Sequence, residues 1–192
     1  MGRYPGKATC DVSGLLLDEL RPVLALNLTA AEAADADGLL NDSATNAADA
    51  KTYTDMLAQP PQARKLIFTP TAEADAGNIL VVGTDIDDNP ITDTVATSAA
   101  AAVYSAKAFK TVTSVTYPKD DGSITWDAGW TEAIGLPLKL AAAPFALEKF
   151  NGVVELGTAG TFTVDANELS KNIYDPNGDL DGAKPLQLLL FI

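Results

Sequence analysis

From Pro60 onward, short runs rich in Val, Ile, Thr and Phe alternate with clusters of Gly, Pro, Asp and Asn. This spacing is typical of short β-strands separated by turns. It leaves no room for the helices that would connect strands of an α/β fold. The sequence therefore predicts a mainly β fold, in which residues 61–192 form a β-sandwich or jelly-roll-like domain.

The strand pattern is specific enough to predict individual elements. A hairpin turn is expected at Asp85–Asn89, where carboxylate and amide side chains cluster. The predicted strands are Lys65–Thr69, Asn78–Thr84, Pro90–Val95, Lys107–Tyr117, Ser123–Gly129, Thr161–Asp165 and Leu186–Ile192. Strict alternation in the long fourth strand places Val112 on one face and the set Phe109, Thr111, Thr113, Val115 and Tyr117 on the other.

Residues 1–60 differ in composition and predict a separate N-terminal arm, partly helical or extended. They are rich in Ala, Asp and Leu and poor in β-branched residues. Thr29-Ala-Ala-Glu32 has the spacing of a capping box, which predicts a helix reaching toward Gly38. A second short helix is expected from Ser43 until Pro60 ends it. Both are poor in large apolar residues, so they need a surface to pack on, in this chain or in a neighbour.

The composition excludes several kinds of chemistry. The 192 residues include no histidine and one cysteine, Cys10, so a Ser-His-Asp triad, a histidine metal ligand and an internal disulfide are impossible. The 13 basic and 26 acidic residues give a net charge of −13, which disfavours nucleic acid and anionic membranes as partners. We therefore expect no catalytic residues, no cofactor, no metal and no enzymatic activity.

One loop is a candidate calcium-binding site. Asp175–Gly182 alternates carboxylate and amide oxygens, the ligands that calcium prefers. A frame that starts at Asn177 reaches Leu188 where an EF-hand needs glutamate, and a frame that starts at Asp175 places Leu180 where it needs glycine. The segment is therefore expected to be a plain turn-forming loop, with calcium binding as the alternative.

Two tryptophans near Asp127 also admit two interpretations. Trp126 and Trp130 could stack on a sugar ring, as in a carbohydrate-binding module, or could pack in the core. Exposure of these two rings on a concave face would favour the sugar-binding interpretation.

The last predicted strand is apolar on both faces. Leu189 and Phe191 alternate with Leu186, Leu188, Leu190 and Ile192. Such a strand is either central in a sheet or covered by another subunit, and the sequence does not separate the two. The candidate interface residues are Leu15, Leu16, Leu17, Leu188, Leu190 and Ile192.

The beginning of the chain favours synthesis in the cytoplasm. Asp18 and Glu19 interrupt the apolar run Leu15–Leu17 directly. The run is too short for the core of a signal peptide or for a membrane span.

Several segments of the β region carry a family resemblance. They are ILVVGTDIDDNPITDT (79–94), AKAFKTVTSVTYP (106–118), ITWDAG (124–129), IGLPL (134–138), LDGAKPL (180–186) and LLLFI (188–192). Their order resembles that of small structural proteins of tailed bacteriophages, in particular head decoration (cement) proteins. The resemblance spans residues 60–192 and is interrupted at Trp130–Ala133.

The resemblance implies a virion protein on the outside of a phage capsid. Such proteins bind the major capsid protein, commonly as homotrimers, and bridge capsomers so that the shell resists internal pressure. The family brings no catalytic residues. The alternative is a β-sandwich binding module, for a host glycan or associated with a tail or fibre.

Overall fold

A computed structural model describes residues 8–9, 16–17, 23–30, 32–120, 124–155 and 160–191. These residues form sixteen β-strands and one 3-10 turn, Leu169–Lys171, which confirms the mainly β, sandwich-like fold class. The strands form three larger antiparallel sheets and a short hairpin of β1 (Ala8–Thr9) with β2 (Leu16–Leu17). Within the described ranges, no helix is long and apolar enough to cross a membrane.

Sheet I has four strands, in the spatial order β5-β10-β7-β8. They are β5 (Lys51–Tyr53), β10 (Thr111–Tyr117), β7 (Asn78–Thr84) and β8 (Pro90–Ala96). The predicted turn joins β7 to β8. Asp85 organises it, since its Oδ1 accepts hydrogen bonds from the backbone N–H groups of Asp87 and Asn89 at 2.9 and 3.0 Å.

Sheet II has six strands. Five follow the order β14-β15-β11-β6-β9, and β4 pairs with the first half of β11. They are β4 (Asp35–Ala44), β6 (Arg64–Pro70), β9 (Val103–Phe109), β11 (Thr125–Gly135), β14 (Thr161–Thr163) and β15 (Ile173–Asp175).

Sheet III has four strands, in the order β13-β12-β16-β3. They are β3 (Val23–Leu28), β12 (Phe145–Phe150), β13 (Val153–Glu155) and β16 (Leu186–Phe191). The strand predicted at the C-terminal end is thus central, since β12 and β3 flank it on either side.

Sheets I and II pack face to face around the larger core. Trp126 is fully buried at its centre and stacks on Tyr117, with ring centroids 5.6 Å apart and planes at 18°. Apolar residues from both sheets surround this pair, among them Leu39, Leu66, Phe68, Ile79, Val81, Val95, Phe109 and Val115. Burial of this apolar surface is the main favourable term that holds the two sheets together.

A smaller core lies under sheet III. Leu188 and Leu190 on β16 pack with Tyr174 of β15 and with Leu136 and Leu140, which follow β11. Sheet III therefore packs against β14 and β15, the strands at one end of sheet II.

Among the described residues before Pro60, neither of the two expected helices is present; this prediction was wrong. Residues 35–44 form β4, which pairs with β11, and residues 51–53 form β5, which pairs with β10. The alanine-rich composition favours a helix only weakly, and long-range pairing that buries Leu39 and Leu40 outweighs it. The described residues of this region form strands joined by turns and irregular segments, so the extended form of the prediction holds for β3, β4 and β5.

Glycine allows β4 to approach β11. A Cβ added at Gly129 would lie 1.8 Å from the backbone oxygen of Asp35, and one at Gly38 would lie 2.5 Å from the Trp130 ring. Only hydrogen fits at these two positions. The region before Pro60 is hydrogen-bonded into each of the three sheets, through β3, β4 and β5. The division into units at residues 60 and 61 stays a prediction.

The predicted long strand Lys107–Tyr117 is two strands, β9 and β10, with Lys110 between them. A register shift lies between Val112 and Ser114 where β10 pairs with β7. It turns Val112 into the same core as Val115, whereas Thr113 is exposed. The predicted division of faces was therefore wrong at Val112 and Thr113, because a bulge breaks the alternation.

An ion-pair cluster joins β9 to the 3-10 turn. Oε1 of Glu168 accepts a hydrogen bond from Nζ of Lys107. Nζ of Lys171 lies 2.8 Å from Oε2 of the same carboxylate. These bonds to Lys107 and Lys171 lower the pKa of Glu168 to about 2. A lowered pKa in the folded state means that the stabilisation is complete above pH 4.5, and it disappears as the pH falls through 2.

Glu168→Gln should therefore reduce the loss of stability that accompanies a fall in pH. At pH 6 the variant is expected to be less stable than the wild type, and the difference should shrink as the pH falls from 4.5 toward 2. Urea unfolding at several pH values measures this. Lys107→Met should flatten the same part of the profile. A difference that stays constant with pH would contradict the role of the pair.

Candidate functional site

The outward face of sheet III is the candidate functional surface. Alternation along β16 buries Leu186, Leu188 and Leu190 at 0–1% exposure and turns Leu189 outward with 38% of its surface exposed. Cross-strand partners share a face, so the residues paired with these outward positions point the same way. The outer face of sheet III comprises Ala25, Asn27, Phe145, Leu147, Lys149, Gln187, Leu189 and Phe191.

This face is apolar at its centre and carries one cation. The rings of Phe145 and Phe191 lie 5.7 Å apart, and Leu147 pairs directly with Leu189. A shallow groove of about 240 Å³ crosses it, with Lys149 as the charged side chain in its lining. Among the described residues, no carboxylate lines the groove, although the chain carries 26 acidic residues.

A buried carboxylate lies under the face. Glu148, on β12 between Leu147 and Lys149, points inward and is fully buried. Its Oε2 accepts from the Tyr174 hydroxyl and from the backbone N–H groups of Gly160 and Asn177, at 3.2 and 3.3 Å. Its Oε1 accepts no hydrogen bond from the described part of the chain.

Tyr174 acts as the donor in this network. Burial, reinforced by the adjacent Glu148 carboxylate, raises the pKa of the Tyr174 hydroxyl, so it stays protonated. The same hydroxyl accepts from the Gly160 N–H at 2.9 Å. The network fixes β12 to β15 and so holds sheet III on sheet II.

Tyr174→Phe should destabilise the protein by about 1–3 kcal/mol, because it removes a donor to a buried carboxylate. Tyr104→Phe deletes the same atom from a side chain that is 50% exposed and should change stability by less than about 0.5 kcal/mol. Chemical denaturation measures both. Equal losses in the two variants would show that the buried hydroxyl contributes nothing specific.

The predicted interface residues fall in three places. Leu188 and Leu190 are 0% exposed inside the smaller core, so packing within the chain accounts for them. Leu16 and Leu17 form β2. Leu15 and Ile192 lie outside the described residues.

Both tryptophans belong to the core. Trp126 is 0% and Trp130 5% exposed, and Nε1 of Trp130 donates to the Ala33 carbonyl at 3.3 Å. Neither ring presents a face on which a sugar could stack.

The loop Asp175–Gly182 is held by bonds within the protein. Asp181 pairs with Lys184 at 2.6 Å and accepts from the Ala183 N–H, and these bonds lower its pKa to about 2. Leu180 donates its N–H to Glu132. In the part of the chain that the structure describes, no three acidic or cysteine side chains are grouped to hold a metal ion.

Sequence reasoning missed β12, which supplies Phe145 and Leu147 to the outer face. The signal was present, since Phe145, Leu147 and Lys149 alternate with Ala146 and Glu148. The outward residues are the larger apolar ones, whereas an acidic residue points inward, so hydrophobicity alone would assign the faces incorrectly.

Comparison with protein-family models, with curated proteins and with solved structures found no match to this chain.

Proposed function

We propose that the protein is a structural virion component, a decoration (cement) protein that binds the outside of a tailed-phage head and bridges its capsomers. The observation that carries the proposal is the outer face of sheet III, which is apolar at its centre and, among the described residues, has no carboxylate in its groove, on a chain with a net charge of −13. The resemblance of segments within residues 60–192 to phage decoration proteins supports a role of this surface in the virion.

The charge distribution favours a second copy of the chain as the partner of this face. Two molecules of charge −13 repel one another, and the repulsion is weakest where no carboxylate is brought toward another. Leu147, Leu189 and the two phenylalanines offer apolar area for burial, and Asn27 and Gln187 offer hydrogen-bonding groups beside it. The proposed assembly is a homotrimer joined through sheet III.

The function of such an assembly is mechanical. A trimer presents three copies of each capsid contact, so the contacts act together and each one can be weak. Expansion or cracking of the shell would have to break all of them at once. The same negative charge gives the protein no affinity for packaged DNA.

Leu189→Asp should dissociate the trimer without unfolding the protomer. The wild type is expected to have three times the chain mass of 20.0 kDa in light scattering after size exclusion, and the variant one chain mass. A carboxylate at this position would be buried in an apolar contact, where an unpaired charge is strongly unfavourable.

Leu80→Asp is the matched control. Leu80 points outward from sheet I and is 41% exposed, close to the 38% of Leu189, so both variants add the same charge to a similarly exposed leucine. The control should remain trimeric. A monomeric wild type would contradict the homotrimer, and a trimeric Leu189→Asp would exclude this face as its contact.

Addition of the protein to heads that lack it tests the function itself. Heads prepared from the phage that encodes the chain should bind wild type and Leu80→Asp to saturation, and DNA release on heating should shift to higher temperature. Leu189→Asp should reach lower occupancy and give less protection. Failure of the wild type to bind these heads would overturn the proposal.

A further inference from the structure

A second concave surface lies on the side of sheet II that faces away from the larger core. Leu66 and Phe68 of β6 point into that core, so the intervening Lys65 and Ile67 point outward. A cleft of about 460 Å³ opens over these two residues. Its volume is in the range of sites for small ligands.

An exposed aromatic ring forms one wall. Tyr104 on β9 pairs with Ile67 across the ladder and is 50% exposed, and the Lys65 ammonium lies over its ring. Trp130, which is 5% exposed, also lines the cleft, and its Nε1 donates to the Ala33 carbonyl. Aromatic surface of this kind suits the apolar face of a ring.

The polar groups of the cleft have opposite signs. Lys65 provides a cation, and Glu132 and Asp175 provide carboxylates. Glu132 Oε1 is held by the Leu180 N–H at 3.1 Å, which orients the carboxylate. Burial raises the pKa of Glu132, and the nearby carboxylates of Asp179 and Asp175 add to the shift.

This set of charges favours a neutral ligand. Two carboxylates repel an anion. A cation would compete with Lys65, whose Nζ already lies 5.5 Å from the centre of the Tyr104 ring. A neutral molecule with several hydroxyls can donate to the carboxylates and accept from the ammonium, and the long lysine side chain can turn toward it.

We propose that this cleft binds a neutral sugar ring, which stacks on Tyr104 and is hydrogen-bonded by Glu132 and Lys65. The site is separate from the outer face of sheet III and does not depend on the proposed role in the virion. It also differs from the arrangement suggested by the two tryptophans, since the exposed platform is a tyrosine on another strand.

A printed array of bacterial-surface and mucin-type glycans provides the probe, followed by titration of each bound glycan as free oligosaccharide. The full-length wild type is expected to bind neutral glycans. Tyr104→Ala should weaken binding by about tenfold, which corresponds to the loss of one stacking contact. Tyr104→Trp should bind glycans about as tightly as the wild type, because the indole ring provides an aromatic surface at the same position.

Two further variants separate a binding role from a structural one. Glu132→Gln keeps an oxygen for the Leu180 N–H but loses the charge, so binding should weaken. The melting temperature of this variant is measured beside it, because Glu132 also attracts the buried Arg64. Leu80→Ala, on sheet I, should leave binding unchanged. Absence of binding to every arrayed glycan, or binding that survives Tyr104→Ala, would overturn the proposal.

Discussion

The buried guanidinium of Arg64 fixes the path of β11, the strand that links the two main cores. The first half of β11 places Trp126 and Trp130 in the larger core, and the chain beyond it places Leu136 in the smaller one. Where β11 pairs with β6, the register shifts between Trp130 and Ile134, which marks a bulge in β11. Arg64 lies beside this bulge and donates to the Thr131 carbonyl at 3.0 Å.

The same guanidinium fixes the entry to β4, since it donates to the Glu32 carbonyl at 2.7 Å. Burial lowers the pKa of Arg64 to about 10, against the attraction of Glu132 and Glu32, so it remains charged at neutral pH. A buried charge is tolerated only where its donors are bonded. The position of the bulge, and with it the placement of sheet III, therefore depends on these bonds.

Much of the strand pattern could be predicted from the sequence, because local alternation and turn chemistry determine it. Asn78–Thr84 and the Asp85 turn agree with the structure residue for residue. The pattern failed where long-range pairing decides, as in β4, where alanine-rich sequence becomes a strand because Gly129 lets it approach β11. It also failed at Val112, where a bulge changes the face that alternation assigns.

The candidate sites were predictable only in part, because contacts between distant parts of the chain determine them too. The sequence identified the apolar C-terminal strand but could not say which of its faces is covered. Leu190 and Leu189 are adjacent and chemically identical, yet one is 0% and the other 38% exposed. The cleft over Lys65 and Tyr104 is lined by residues of five strands, β4, β6, β9, β11 and β15, and by Ala34 before β4, so no local motif predicts it.

Strand alternation thus leaves sheet III with one face buried in the protomer and an outer face that is apolar at its centre, which we propose a neighbouring copy covers. A cryo-EM reconstruction of decorated heads tests this claim most directly. It should place three copies around a local threefold axis, with Leu147 and Leu189 of each copy against a neighbouring copy. A map in which the outer face of sheet III is open to solvent would contradict the account.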